Sequence, residues 1–156
     1  MMMTAGYKQL DPHDLDYAER SLAIACTRGR EAIVTRFRGL LHQENLTEQQ
    51  WRVLRILNDH GAMIIAELTK LSCIHKASMS RIIASLEQAG LIEKRASETD
   101  ARARRLGLSK SGAAMMKRLM PIADEIYDGI IADFGAVKYK QLLSLLRDLS
   151  RINSCD

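Results

Sequence analysis

The residue types that could carry chemistry in this 156-residue chain are its cations and small hydroxyls, and they gather in one stretch. Between Lys94 and Lys110 stand six cations and two acids, a local charge of +4 that equals the net charge of the whole chain. The positive field therefore sits in the segment KRASETDARARRLGLSK. Leu91-Ile92 begin a strand before it, residues 97–105 make a polar tip, and Leu106 and Leu108 alternate with Gly107 on a return strand, which reads as a β-hairpin. Just upstream, Lys76, Ser78, Ser80 and Arg81 open a helical stretch and avoid its apolar stripe of Met79, Ile82, Ile83 and Leu86. Small hydroxyls flanked by two cations near a helix start can approach base edges and phosphates closely; the plain alternative is a solvated polar face. Residues suited to catalysis do not group. His13, His42, His60 and His75 are scattered, and no glycine-rich phosphate loop, zinc spacing or nucleophile elbow is present. No enzyme, metal or cofactor is expected. Cys26, Cys73 and Cys155 are odd in number and widely spaced, which suits neither a disulfide framework nor a zinc site.

These residues need elements to position them. The order predicted around them is a short helix at 64–71, a turn at Ser72-Cys73-Ile74, a helix over 75–89 closed by Gly90, and then the hairpin. That is a helix-turn-helix followed by a wing, a shape that lies on DNA. Ahead of it, Thr47 and Gln50 form a capping box, and Leu46 and Trp51 are placed for a hydrophobic staple, so a helix runs from Leu46 to Asn58. Trp51 reads as a core anchor or as a ligand contact. Residues 1–14 read as a loose arm, with Asp14 as a cap for one long helix from Leu15 to Gln43 whose stripe includes Leu22, Cys26, Ile33 and Phe37. After the hairpin, Ser109 caps a long helix containing Pro121. Gly135 breaks the pattern, and a last helix is apolar over a wide arc, which calls for another subunit. The pair Met115-Met116 suits either gap-filling core or an adaptable pocket.

Several of these pieces together resemble the MarR family of winged-helix regulators: Leu46-Thr47-Glu48-Gln49-Gln50-Trp51, the run Ala77-Ser78-Met79-Ser80-Arg81, Gly90-Leu91-Ile92, Asp100-Ala101-Arg102 and Leu108-Ser109-Lys110-Ser111-Gly112. The likeness covers about Ser21 to Ile152. Arg30-Glu31-Ala32, Phe37-Arg38 and Asn45 to Leu57 are similar to the branch that represses homoprotocatechuate and related aromatic-degradation operons. The chain departs from that branch at Gly39, where proline is usual, and from the family at Ala77, often a proline.

The resemblance implies a mainly α protein with a small β-hairpin. Residues 46–110 would form a winged helix-turn-helix lobe on DNA, and residues 15–43 and 110–154 a helical dimerisation region. It implies a homodimer on a pseudo-palindromic double-stranded operator. A cytoplasmic location without membrane association is expected separately, because no signal-peptide core and no apolar run of bilayer length is read in the sequence. Lys76, Ser78, Ser80 and Arg81 would face the major groove. Arg102 would enter the minor groove, oriented by Asp100, while Arg104 and Arg105 on the same hairpin are expected to meet mostly phosphate. The effector would be a small aromatic acid or its coenzyme A thioester, held near Arg30, Phe37 and Trp51. Arg30 would neutralise a carboxylate, or else pair with Glu31 on the surface. The alternative function is a redox-sensing regulator of the same fold using a cysteine. Against it, Cys26 lies on the apolar stripe and is expected in the core, and Cys73 in the turn has no activating pair.

Overall fold

The computed structural model describes residues 16–96 and 104–152, the side chains of Ala96 and Arg104 excepted. Seven helices and three strands are present among these residues: α1 (Tyr17–Arg20), α2 (Leu22–Gln43), α3 (Glu48–His60), β1 (Met63–Ile64), α4 (Ile65–Ser72), α5 (Lys76–Gln88), β2 (Ile92–Ala96), β3 (Arg104–Leu108), α6 (Lys110–Phe134) and α7 (Ala136–Arg151). The chain divides within α2, between Arg36 and Phe37, into two compact units.

In the N-terminal unit, the single long helix expected from Leu15 is broken. Asp16 caps α1, accepting from the Glu19 amide at 3.0 Å, and Ser21 is extended before α2 begins. Asp14, the expected cap, lies outside the described residues. Cys26, expected in the core, is instead exposed. The reason is that α2 buries residues only from Phe37 onward, while Leu22 and Ile33 remain exposed.

The main unit is organised by α3. Thr47 caps it: the Gln50 amide donates to Thr47 Oγ1 at 3.1 Å, and the Thr47 amide donates to Gln50 Oε1 at 2.8 Å. Val53, Leu54 and Leu57 of α3 pack with Leu68, Met79, Leu86 and Leu106, all 2% exposed or less. Each such side chain contributes about 1.5–3 kcal/mol by leaving water. Met116 is fully buried, so the methionine pair serves the core.

The expected hairpin gains a third strand. The sheet is antiparallel in the order β1-β3-β2, with Met63 opposite Leu106 and Ile92 opposite Leu108. Two glycines set its junctions. Gly90 follows α5 at φ +70°. Gly112 lets the first turn of α6 rest against the Leu91 carbonyl, where a Cβ would lie 2.0 Å from that oxygen. Ser109 ties the same corner, its hydroxyl donating to Gly90 O at 2.6 Å and its amide to Leu91 O at 3.0 Å. Among the described residues α7 has no buried side chain; Val137, Leu142, Leu145 and Leu146 are exposed.

Candidate DNA-binding face and effector cleft

α5 is the second helix of the motif. Met79, Ile82, Ile83 and Leu86 are its buried residues, which leaves Lys76, Ser80 and Arg81 exposed and Ser78 half-buried. The helix starts at His75 without a side-chain cap. Its first-turn N–H groups, at the positive end of the helix dipole, therefore suit an outside anionic acceptor. Ser80 Oγ donates back to Lys76 O at 3.4 Å.

The wing cations fall into three groups. Arg102 and Asp100 lie outside the described residues. Arg104 is described only as backbone, opposite Ala96 on the neighbouring strand. Arg105 is half-buried, and both its Nε, at 3.0 Å, and its Nη2 donate to the Ala62 carbonyl. Two of its donors thus hold the segment entering β1 against β3. Lys94 pairs with Glu87 at 3.0 Å. Arg95 pairs with Glu93 at 3.0 Å and donates to Leu108 O at 2.7 Å. Gly107 makes room for it: a Cβ there would meet Arg95 Nε at 3.3 Å. Much of the hairpin's charge at its base is therefore engaged within the fold.

Next to this lobe, three aromatic rings meet. Phe37, 4% exposed, has its centroid 6.4 Å from Trp51 and 5.3 Å from Tyr127, the latter edge-on. Beside them opens a cleft of about 370 Å³ lined by Trp51, Arg55, Asp124, Tyr127 and Tyr139. One wall is α3 and the others come from α6 and α7. Arg55 brings a cation, steadied by Asp59 at 3.3 Å. Asp124 brings an acceptor, and the two tyrosines bring hydroxyls. Burial raises the pKa of Tyr127, and the neighbouring Tyr139 adds to the rise. Arg55 acts in the opposite sense, and the Glu48 charge raises the pKa further. Tyr127 is thus a protonated donor at neutral pH. A flat ring with one acidic and one hydroxyl substituent fits this set of partners.

Of the effector residues expected from the sequence, Phe37 and Trp51 come together here. Arg30 lies in the N-terminal unit, half-exposed, with its guanidinium 3.3 Å from the Glu31 carboxylate. Arg55, Asp124, Tyr127 and Tyr139 were not singled out as site residues. The one available signal was Arg55 standing four residues, about one helical turn, after Trp51. A second shallow cleft of about 390 Å³, lined by His60, Glu67, Lys70 and Arg105 among others, opens at the wing's base. Its charges are of both signs.

Residues 46–104 match the MarR family. The HTH-type transcriptional regulator FarR of Neisseria gonorrhoeae is 35% identical over 132 residues, spanning 85% of this chain and 90% of FarR. The chain belongs to the MarR family. The homoprotocatechuate degradative operon repressor of Escherichia coli is 37% identical, over 82% of this chain and 86% of that relative. The crystal structure of NadR in complex with 4-hydroxyphenylacetate superposes with a TM-score of 0.75 at 33% identity, covering 85% of this chain and 96% of NadR. This MarR-family chain is a transcriptional regulator and not an enzyme, and the helix-turn-helix and wing are its winged-helix fold. Among its described residues no helix is long and apolar enough to cross a membrane.

Proposed function

We propose that the chain is a homodimeric repressor that leaves its operator when a small hydroxylated aromatic acid enters the cleft beside Trp51, and that it controls aromatic-compound catabolism. The observation that carries this reading is the cleft itself. Arg55 suits a carboxylate, Asp124 accepts from a phenolic hydroxyl, and Trp51 and Tyr127 supply ring surface. Its volume is at the small end for ligand sites, which favours the free acid over a coenzyme A thioester. Relatives described as a homoprotocatechuate operon repressor and as NadR with 4-hydroxyphenylacetate point the same way.

In this reading residues 46–110 form the DNA-binding lobe. Lys76, Ser78, Ser80 and Arg81 face the major groove, Arg102 reaches the minor groove, and Arg104 meets phosphate. The helices over 15–43 and 110–154 join two copies. The apolar side chains exposed on α7, and Leu22 and Ile33 on α2, support that role, because exposed apolar surface of this kind marks an interaction site.

Trp51 is the only tryptophan, so intrinsic fluorescence reports on the cleft directly. Titration with 4-hydroxyphenylacetate and related hydroxyaromatic acids should change its emission at the same concentrations that release a labelled operator duplex in fluorescence anisotropy. Arg55→Ala should lose both responses. If no acid in the panel alters either signal while peroxide releases the DNA, the cysteine-based alternative replaces this function.

A further inference from the structure

We infer that Gln50 and Arg52 on α3 link the effector cleft to the recognition helix α5, acting as positioning residues for operator binding. The inference deepens the function proposed above and rests on its reading of the cleft. Gln50 does two jobs with one amide. Its Oε1 accepts the Thr47 amide at 2.8 Å to complete the capping box, and its Nε2 donates to Ser85 Oγ of α5 at 3.0 Å. A glutamate would serve the cap equally well. Only glutamine offers a donor as well as an acceptor.

Two residues on, Arg52 grips both sides. Its Nη2 donates to the Glu48 carboxylate at 2.6 and 2.8 Å, and its Nη1 donates to the Ser72 carbonyl at 2.8 Å. Ser72 is the last residue of α4; Cys73 follows in the left-handed region at φ +52°, and α5 begins three residues later. The turn of the motif is therefore held from α3 at one end, and the third turn of α5 at the other. On the same helix, Trp51 stands between these two residues and Arg55 three positions after Arg52, and both line the cleft.

A helix moves as a stiff body, and hydrogen bonds of 2.8–3.0 Å weaken steeply when displaced. A ligand that draws α3 toward α6 carries α5 and its turn along through these bonds, and so moves the recognition helix from its register on DNA. The energetic coupling between cleft and recognition helix is what the test measures.

The probes are 4-hydroxyphenylacetate and the duplex that the wild-type protein selects from a random-sequence pool. In wild type the acid should weaken duplex binding by a factor in the range of about 5–150. Ser85→Ala removes the acceptor for Gln50 and leaves the capping box intact. It should cut that factor by about twofold or more, without changing the acid's own affinity read from Trp51 fluorescence. Ser85→Thr, which restores a hydroxyl, should restore the factor. An unchanged factor in Ser85→Ala overturns the inference.

If the acid does not bind wild type, the proposed effector is wrong, and a ligand-free cycle then decides the coupling. Duplex affinity is measured for Tyr127→Ala, Ser85→Ala and the double variant. A double effect that departs from the product of the single effects by about twofold or more supports the link. Effects that simply multiply overturn it.

Discussion

Replacing Gly112 with alanine should push the start of α6 off the wing. The added Cβ would lie 2.0 Å from the Leu91 carbonyl oxygen and 3.0 Å from its carbon. An ordinary carbon–oxygen approach is about 3.3 Å, so roughly 1.3 Å of movement is required. The obstruction is backbone, and that carbonyl already accepts the Ser109 amide at 3.0 Å, so it cannot swing aside freely. Overpacking of this kind costs about 1–3 kcal/mol and occasionally more. The gain in helix propensity from glycine to alanine, about 1 kcal/mol, offsets part of it. A net loss of about 2 kcal/mol follows from an overpacking cost near the top of that range. For a chain of this length it should lower the melting temperature by about 4–8 °C. The assay is thermal unfolding by circular dichroism at fixed protein concentration, because association with a second copy would itself shift the midpoint. Gly39→Ala is the control: it lies in α2 with nothing within 4 Å of its added Cβ, and it should be neutral or slightly stabilising. A Gly112→Ala protein that melts at or above the wild-type temperature would refute the close approach. It would also refute the claim that this corner sets the wing against α6.

Arg105 and Arg81 should behave differently. Arg105→Ala leaves the Ala62 carbonyl without its two guanidinium donors, so it should lose about 1–3 kcal/mol of stability and weaken all duplexes alike. Arg81→Ala should keep its stability within about 0.5 kcal/mol and lose about 1–3 kcal/mol of preference at one operator position; thermal melts and anisotropy on operator and scrambled duplexes separate the two, and the reverse pattern would exchange their roles. Acid should expose the Glu44–Arg118 pair, whose guanidinium donates to the carboxylate at 2.6 and 2.8 Å. Those hydrogen bonds, and then the Arg118 charge, hold the Glu44 pKa below its ordinary 4.5 against the opposing effect of burial. A lowered carboxylate pKa stabilises the fold fully above the unfolded value and loses that contribution as pH falls through the folded one. The stability gap between wild type and Glu44→Gln in urea melts should therefore be constant near neutrality and shrink below about pH 4.5; a gap that is flat through the acid range would contradict the ion pair.

What the sequence determined by itself was local. The Thr47–Gln50 capping box, the stripe of Met79, Ile82, Ile83 and Leu86, and the stops at Gly90 and Gly135 were all legible and are present. Each depends on partners within about one helical turn, or on a glycine's own backbone freedom. Tertiary structure decided the rest. β1 has two residues and no pattern of its own, and it exists because β3 offers it a pairing edge. The break at Ser21 left no sign in the apolar spacing. Arg105 reads as one more basic residue of the wing, yet it is engaged with Ala62, forty-three positions earlier. The effector cleft was only partly visible. Trp51 and Phe37 stood out as aromatic residues, whereas Asp124, Tyr127 and Tyr139 reach them only through the packing of α3 against α6 and of α6 against α7. Gln50 shows the division within one side chain. Its capping bond, three residues away, could be read from the sequence, and its bond to Ser85, thirty-five residues away, could not. Periodicity and capping record neighbours along the helix, but contacts between distant segments are chosen by how the whole core closes.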